Sequence, residues 1–81
     1  MKIGEPVTVS LVWDHRLRKT FPKRVVWNNR EYRVLRLGLH HAYRTGRTLL
    51  HVFSVACEGV FFRLVLDTET LSWTLEEIAA D

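Results

Sequence analysis

Arginine is the chemistry that this sequence offers in quantity. Arg16, Arg18, Lys19, Lys23, Arg24, Arg30, Arg33, Arg36, Arg44 and Arg47 fall within one run of 32 residues. A guanidinium presents a flat fork of donors that meets phosphate or carboxylate oxygens two at a time. A ligand carrying repeated oxyanions is what such a set would take. Residues 1–50 hold eleven Lys/Arg against three acids, whereas residues 51–81 hold one Arg against six. That split points the first half toward an acidic partner. The plainer account is that the two halves attract each other and solvate the surface.

The other reactive side chains are poorly spaced for catalysis or for a metal. His40 and His41 are adjacent, so on a strand they point to opposite faces. His51 and Cys57 share a face but lie six residues apart, about 20 Å along an extended strand. One zinc ion cannot be shared over that distance. Cys57 is the single cysteine of the chain, which excludes an internal disulfide. No base stands near it in sequence, and no glycine-rich loop cradles a phosphate. Glu76 and Glu77 alternate in direction on a strand, so they are not expected to work as an acid/base pair. Together with Asp67 and Glu69 they read as a solvated edge and turn. The expectation is a protein that is not an enzyme and has no cofactor and no metal. A lesser possibility is a ligand pocket in a barrel mouth around His40, His41 and Tyr43.

The elements that must position the arginines follow a period of two. Val7, Val9, Leu11 and Trp13 alternate with Thr8, Ser10 and Val12, and Leu71, Trp73 and Leu75 alternate with Ser72, Thr74 and Glu76. Both are half-buried strand patterns. Asn28-Asn29 sits between two apolar runs and reads as a two-residue hairpin loop, because Asn tolerates the positive φ that a type I′ turn needs at both positions. The register then sets Trp27 opposite Arg30, Val25 opposite Tyr32, and Lys23 opposite Val34. Phe21, Val25, Trp27, Tyr32 and Val34 form a core face. The other face sets Arg24 opposite Arg33, an unfavourable like-charge pair that an external anion would relieve. Glu58-Gly59 makes a second hairpin, with Cys57 opposite Val60, Val55 opposite Phe62, Phe53 opposite Leu64 and His51 opposite Leu66. Its second face, with Ala56 opposite Phe61 and Val52 opposite Val65, is apolar enough to suggest cover on both sides. Gly38 suggests a bulge and Gly46 a turn. The final "LEEIAAD" offers at most one turn of helix.

About six antiparallel strands in a meander, curling into a small, partly open barrel, is the expected all-β fold. Residues 1–81 make a single small domain. No apolar run reaches the roughly 18 residues of a membrane span, and the start lacks the apolar segment of a signal peptide. A cytoplasmic protein without membrane contact is the expectation.

The stretch "FPKRVVWNNREYRV", followed by "GVFFRLVLDTETLSWTL", resembles a family of small bacterial domains of unknown function. The family pattern is a W-x-x-R-x-Y-x-V hairpin and a late D-x-x-x-x-x-W-x-L strand. Trp27, Arg30, Tyr32 and Val34 match the first part, and Asp67, Trp73 and Leu75 match the second. Some relatives are appended to lesion-bypass DNA polymerases, so the resemblance implies a small β fold and leans toward nucleic acid. The middle stretch "HHAYRTGR" departs from the pattern, with His and Tyr where a Trp-containing segment is expected.

Two roles remain in view. The first is a nucleic-acid-binding module using Arg16, Arg18, Lys19, Lys23, Arg24, Arg33, Arg36, Arg44 and Arg47. Small barrels bind nucleic acid through charged strand faces with exposed aromatics. Here Trp27 and Tyr32 fall on the expected core face, which leaves phosphate contact rather than base stacking. The alternative is a protein-interaction module, for an acidic protein or for a second copy in a homodimer.

Overall fold

The computed structural model describes residues 1–80. Its seven strands are β1 (Lys2–Pro6), β2 (Thr8–Asp14), β3 (Lys19–Trp27), β4 (Arg30–Thr45), β5 (Thr48–Cys57), β6 (Val60–Asp67) and β7 (Ser72–Ala80). They form one antiparallel sheet in the order β1-β7-β6-β5-β4-β3-β2. The strand count is seven rather than six. The additional strand is β1, which pairs with β7 through Glu5 opposite Leu75 and Pro6 opposite Thr74. Gly4, at φ 69°, marks the bulge inside it.

β1 and β2 lie at opposite ends of the strand order, yet only Val7 separates them in the chain. One residue advances the chain by about 3.3 Å, so the two edges of the sheet must meet. The sheet is therefore strongly curled, and the N-terminal segment passes from one edge to the other. Val7 N–H still donates to Trp73 O (3.2 Å), on the β7 side. β1 and β2 do not pair with each other, so the sheet is not closed into a barrel. The indole N–H of Trp27 on β3 donates to Glu5 Oε1 on β1 (3.0 Å), across this seam.

Both hairpins follow from their turn residues. Asn28 and Asn29 adopt φ 55° and 60°, and the ladder runs Trp27–Arg30, Val25–Tyr32 and Arg24–Arg33. Gly59 takes φ 77° in the second turn. There Cys57 faces Val60, Val55 faces Phe62, Phe53 faces Leu64 and His51 faces Leu66. The inner faces converge on a core of Val25, Phe53, Val55, Cys57, Phe62, Leu64 and Leu75. Trp27 and Tyr32 stand edge-on to Phe62, with centroids 6.2 and 4.8 Å away, an arrangement favoured by the ring quadrupoles.

Four expectations need correction. Pro22, not Phe21, takes the buried place on β3. Arg24 pairs with Ser10 and Pro22 with Leu11, so Lys23 is bulged out of the β2 ladder and has no Val34 partner in the β4 ladder. Proline has no N–H to give a ladder, and bulges are where strands accommodate it. The extra residue lies on β3, so β2 keeps its alternation; Leu11 and Trp13 share the concave side but remain exposed at the open end of the curl. Finally, "LEEIAA" forms no helical turn, because β7 continues through Ala80 against β6.

Candidate functional site

The basic residues separate into an outer face, a groove rim and a hairpin tip. On the outer face, Arg24 and Arg33 stand directly opposite each other. Leu35 is bulged out of the β4–β5 ladder, which pairs Val34 with Cys57 and then Arg36 with Ala56. That extra residue returns Arg36 to the face of Arg33. Arg24 reaches Glu31 Oε1 at 3.8 Å, with side chains 58% and 61% exposed, an exposed pair worth little. Among the described residues, Arg33 and Arg36 form no ion pair. The exposed Lys23 lies at the bulge beside this face.

Further along the same face, Arg63 is engaged by both Glu76 and Glu77. The expectation that these glutamates diverge fails for a clear reason. Arg63 pairs with Glu77 while Leu64 pairs with Leu75, so Glu76 is the extra residue of a bulge. Both carboxylates therefore turn toward one guanidinium. This is the acidic half neutralising its own lone arginine, and among the described residues it leaves Arg33 and Arg36 without an ion pair.

The second location is a groove of about 570 Å³ at the end of the sheet where the 15–18 loop and the 46–47 turn lie. Trp13, Arg18, Lys19 and Thr20 contribute one wall, and Gly38, His40, His51, Phe53 and Leu66 contribute to the rest. The Asp14 carboxylate accepts from the N–H groups of Arg16 (2.9 Å) and Leu17 (3.2 Å), which folds the loop tightly. Arg18 closes it at φ 54°. Arg16 sits in this loop but does not line the groove. Trp13 is 62% exposed.

His40 and His51 meet in the groove, with Nε2 of His40 2.8 Å from Nδ1 of His51. Nothing in the spacing of the two residues foretells this pair. It arises because Gly38 and Leu39 are bulged, pairing Leu37 with Val55 and His40 with Phe53. A Cβ on Gly38 would lie 3.0 Å from Ser54 O, so a side chain there would press on the β5 backbone. His40 lies flat on Phe53, with centroids 4.2 Å apart and planes within 4°. Partial burial, and then the neighbouring His51, His41 and Lys19, hold the His40 pKa below its ordinary 6.5. One nitrogen of the pair must donate and the other accept, so the bond forbids both rings from being doubly protonated. Among the described residues, no third ligand joins them as a metal site requires. His41 and Tyr43 face away from the groove and stand 6.4 Å apart. Of the three residues suggested for a barrel-mouth pocket, only His40 lines the groove.

No family model, curated protein or solved structure matches this chain.

The third location is the tip of the β4–β5 hairpin, where Gly46 takes φ 61° and Arg47 follows it in the turn. The unbroken register from His40 to Thr45 sets Arg44 on the same face as His40 and Ala42. The structure thus groups Arg24, Arg33 and Arg36 on one face and Arg18 with Lys19 on a groove wall. Lys23 stands at the bulge beside the first group, and Arg16, Arg44 and Arg47 lie apart from both. The sequence reading missed Trp13 and His51 as groove residues. The cluster "WDHRLRK" was the available signal, since it puts a ring beside three cations in a short loop.

Buried Cys57 does not belong to either site, and burial pushes its thiol pKa above the ordinary 9.0. A neutral, enclosed thiol is a poor nucleophile.

Proposed function

We propose that the protein is a binding module for nucleic acid, engaging phosphates through Arg24, Arg33 and Arg36 on the outer sheet face. The observation that carries this reading is the arrangement of these guanidiniums on adjacent strands, with Arg33 and Arg36 unpaired among the described residues. Holding Arg24 opposite Arg33 costs stability, and a phosphate between them would reverse that cost. Arginine also suits the bidentate geometry of phosphate oxygens. The resemblance to domains appended to lesion-bypass polymerases leans the same way. The test is fluorescence anisotropy with a labelled oligonucleotide at low salt. A complex is expected, weakened by replacing Arg24, Arg33 and Arg36 together with Ala; the absence of any complex with DNA or RNA would refute the reading.

A second reading is a protein-interaction or homodimerisation module. It is favoured by Leu35 and Leu39, which the two β4 bulges push out to 62% and 74% exposure. Phe61 adds to this apolar outer surface beside a pocket of about 230 Å³. Light scattering across a concentration series tests the homodimer. A mass fixed at that of one chain would exclude it.

A further inference from the structure

We infer that the groove at the open end of the sheet holds an unpaired nucleobase stacked on Trp13, with the adjoining phosphate on Arg18 and Lys19, so that the ligand is single-stranded nucleic acid. This inference rests on the nucleic-acid reading above and adds to it a second site and a strand preference.

Trp13 is the starting point. A tryptophan on a strand of alternating apolar residues normally turns inward and is buried, and this one turns inward without being buried. It stays on the concave side with Leu11, but it sits at the open end of the curl, where the core does not reach, and it is 62% exposed on the groove wall. The ring is part of a contiguous apolar lining with Leu11, Leu37, Phe53 and Leu66, and such a surface points to a partner where a single exposed ring would not.

The neighbours of Trp13 narrow the chemistry. Arg18 and Lys19 share its wall, and among the described residues neither forms an ion pair. No carboxylate is among the residues that line the groove, and the nearby ones are hydrogen-bonded elsewhere. Asp14 caps its own loop, Asp67 accepts from the N–H groups of Glu69 and Thr70, and Glu69 accepts from Thr48. The rim therefore favours an anion, while the ring favours a flat, apolar surface. A nucleotide combines the two. The volume of about 570 Å³ lies within the roughly 300–1,000 Å³ of small-ligand sites. His40 and His51 supply ring nitrogens to a base edge, and His40 is already fixed flat against Phe53.

Strand preference follows from stacking. In a duplex every base face is covered by its neighbours, so Trp13 has nothing to stack on. An unpaired base offers its face freely, and stacking on an aromatic side chain is the usual means of holding it. An acidic peptide would satisfy Arg18 and Lys19 but would leave the ring unused.

The test uses the intact chain and three probes: an oligothymidylate, a DNA duplex of the same length and inorganic polyphosphate. Tryptophan quenching and anisotropy are followed together. The expected result is preference for oligothymidylate over duplex, with quenching lost in Trp13→Ala. The ratio of oligothymidylate to polyphosphate affinity should fall about 5- to 100-fold in that variant, and Trp13→Phe should restore most of it. Circular dichroism of each variant establishes that the fold is retained. If all probes bind but Trp13→Ala leaves the ratio unchanged, the stacking site is overturned while phosphate binding stands. If no probe binds, both readings fall.

Discussion

Replacing Arg33 with Glu should make the protein more stable and a worse binder. Arg33 sits directly opposite Arg24 on the outer face. Cross-strand pairs are worth about 0.2–1 kcal/mol, and like charges carry the unfavourable sign. Glu at this position removes a repulsion and adds an attraction. The site is exposed, as the 58% exposure of the Arg24 side chain shows, so solvent screening cuts the gain. Glu31, two residues away on the same face, takes back a further part. A net gain of about 0.5 kcal/mol is expected. For a domain of this size, that raises Tm by about 2–4 °C. Loss of one phosphate contact should meanwhile reduce the slope of log K against log salt by about 0.7–0.9. Thermal melts by circular dichroism read the first effect, and anisotropy over a salt series reads the second. A lowered Tm would mean that Arg33 holds the fold through contacts other than Arg24. An unchanged salt slope would remove the outer face from the binding surface.

Truncating Phe62 should be severe, because Trp27 and Tyr32 both stand edge-on to it in the core. Phe62→Ala is expected to cost about 3–5 kcal/mol, read as loss or strong leftward shift of the urea transition. Asn28→Val places a β-branched residue at φ 55° and should lower stability by about 1–2 kcal/mol, whereas Asn28→Gly should be tolerated; equal melting of the two variants would contradict the left-handed turn. His40 has a folded pKa below its ordinary 6.5, so the unfolded chain binds more protons in that range and stability should fall as pH drops below about 6.5. Melts across pH 5–8 check this, and His40→Phe should flatten the profile. Cys57 is buried and should react with a thiol reagent only as the chain unfolds, so fast labelling of the native protein would count against the core described above.

The parts of this fold legible in the sequence are those set by local rules. Asn28-Asn29 and Glu58-Gly59 announced their turns, and each turn fixed the register of a hairpin. Gly38 announced a bulge and Gly46 a turn, and both are present. The residues that misled are those where a bulge resets the alternation. Lys23 drops out of the ladder beside Pro22, and this exchanges Phe21 for Pro22. Pro22 within a strand was the one local warning. Glu76 shows the same effect, since its bulge brings it to the side of Arg63 that Glu77 already occupies. No periodicity contains the His40–His51 contact, because it depends on how two bulged residues on β4 are matched against one on β5. The outer arginine pair was visible from sequence because it lies next to a turn. The groove was not, because it forms where distant strands meet around a curl.

The central claim is that unpaired guanidiniums on the outer face and the groove wall bind nucleic-acid phosphates. Its most direct test is the salt dependence of oligonucleotide affinity. Three to five cations engaged with a single strand predict a slope of log K against log salt between about −2 and −3.5. A slope near zero, or no complex at the lowest salt, would contradict the claim.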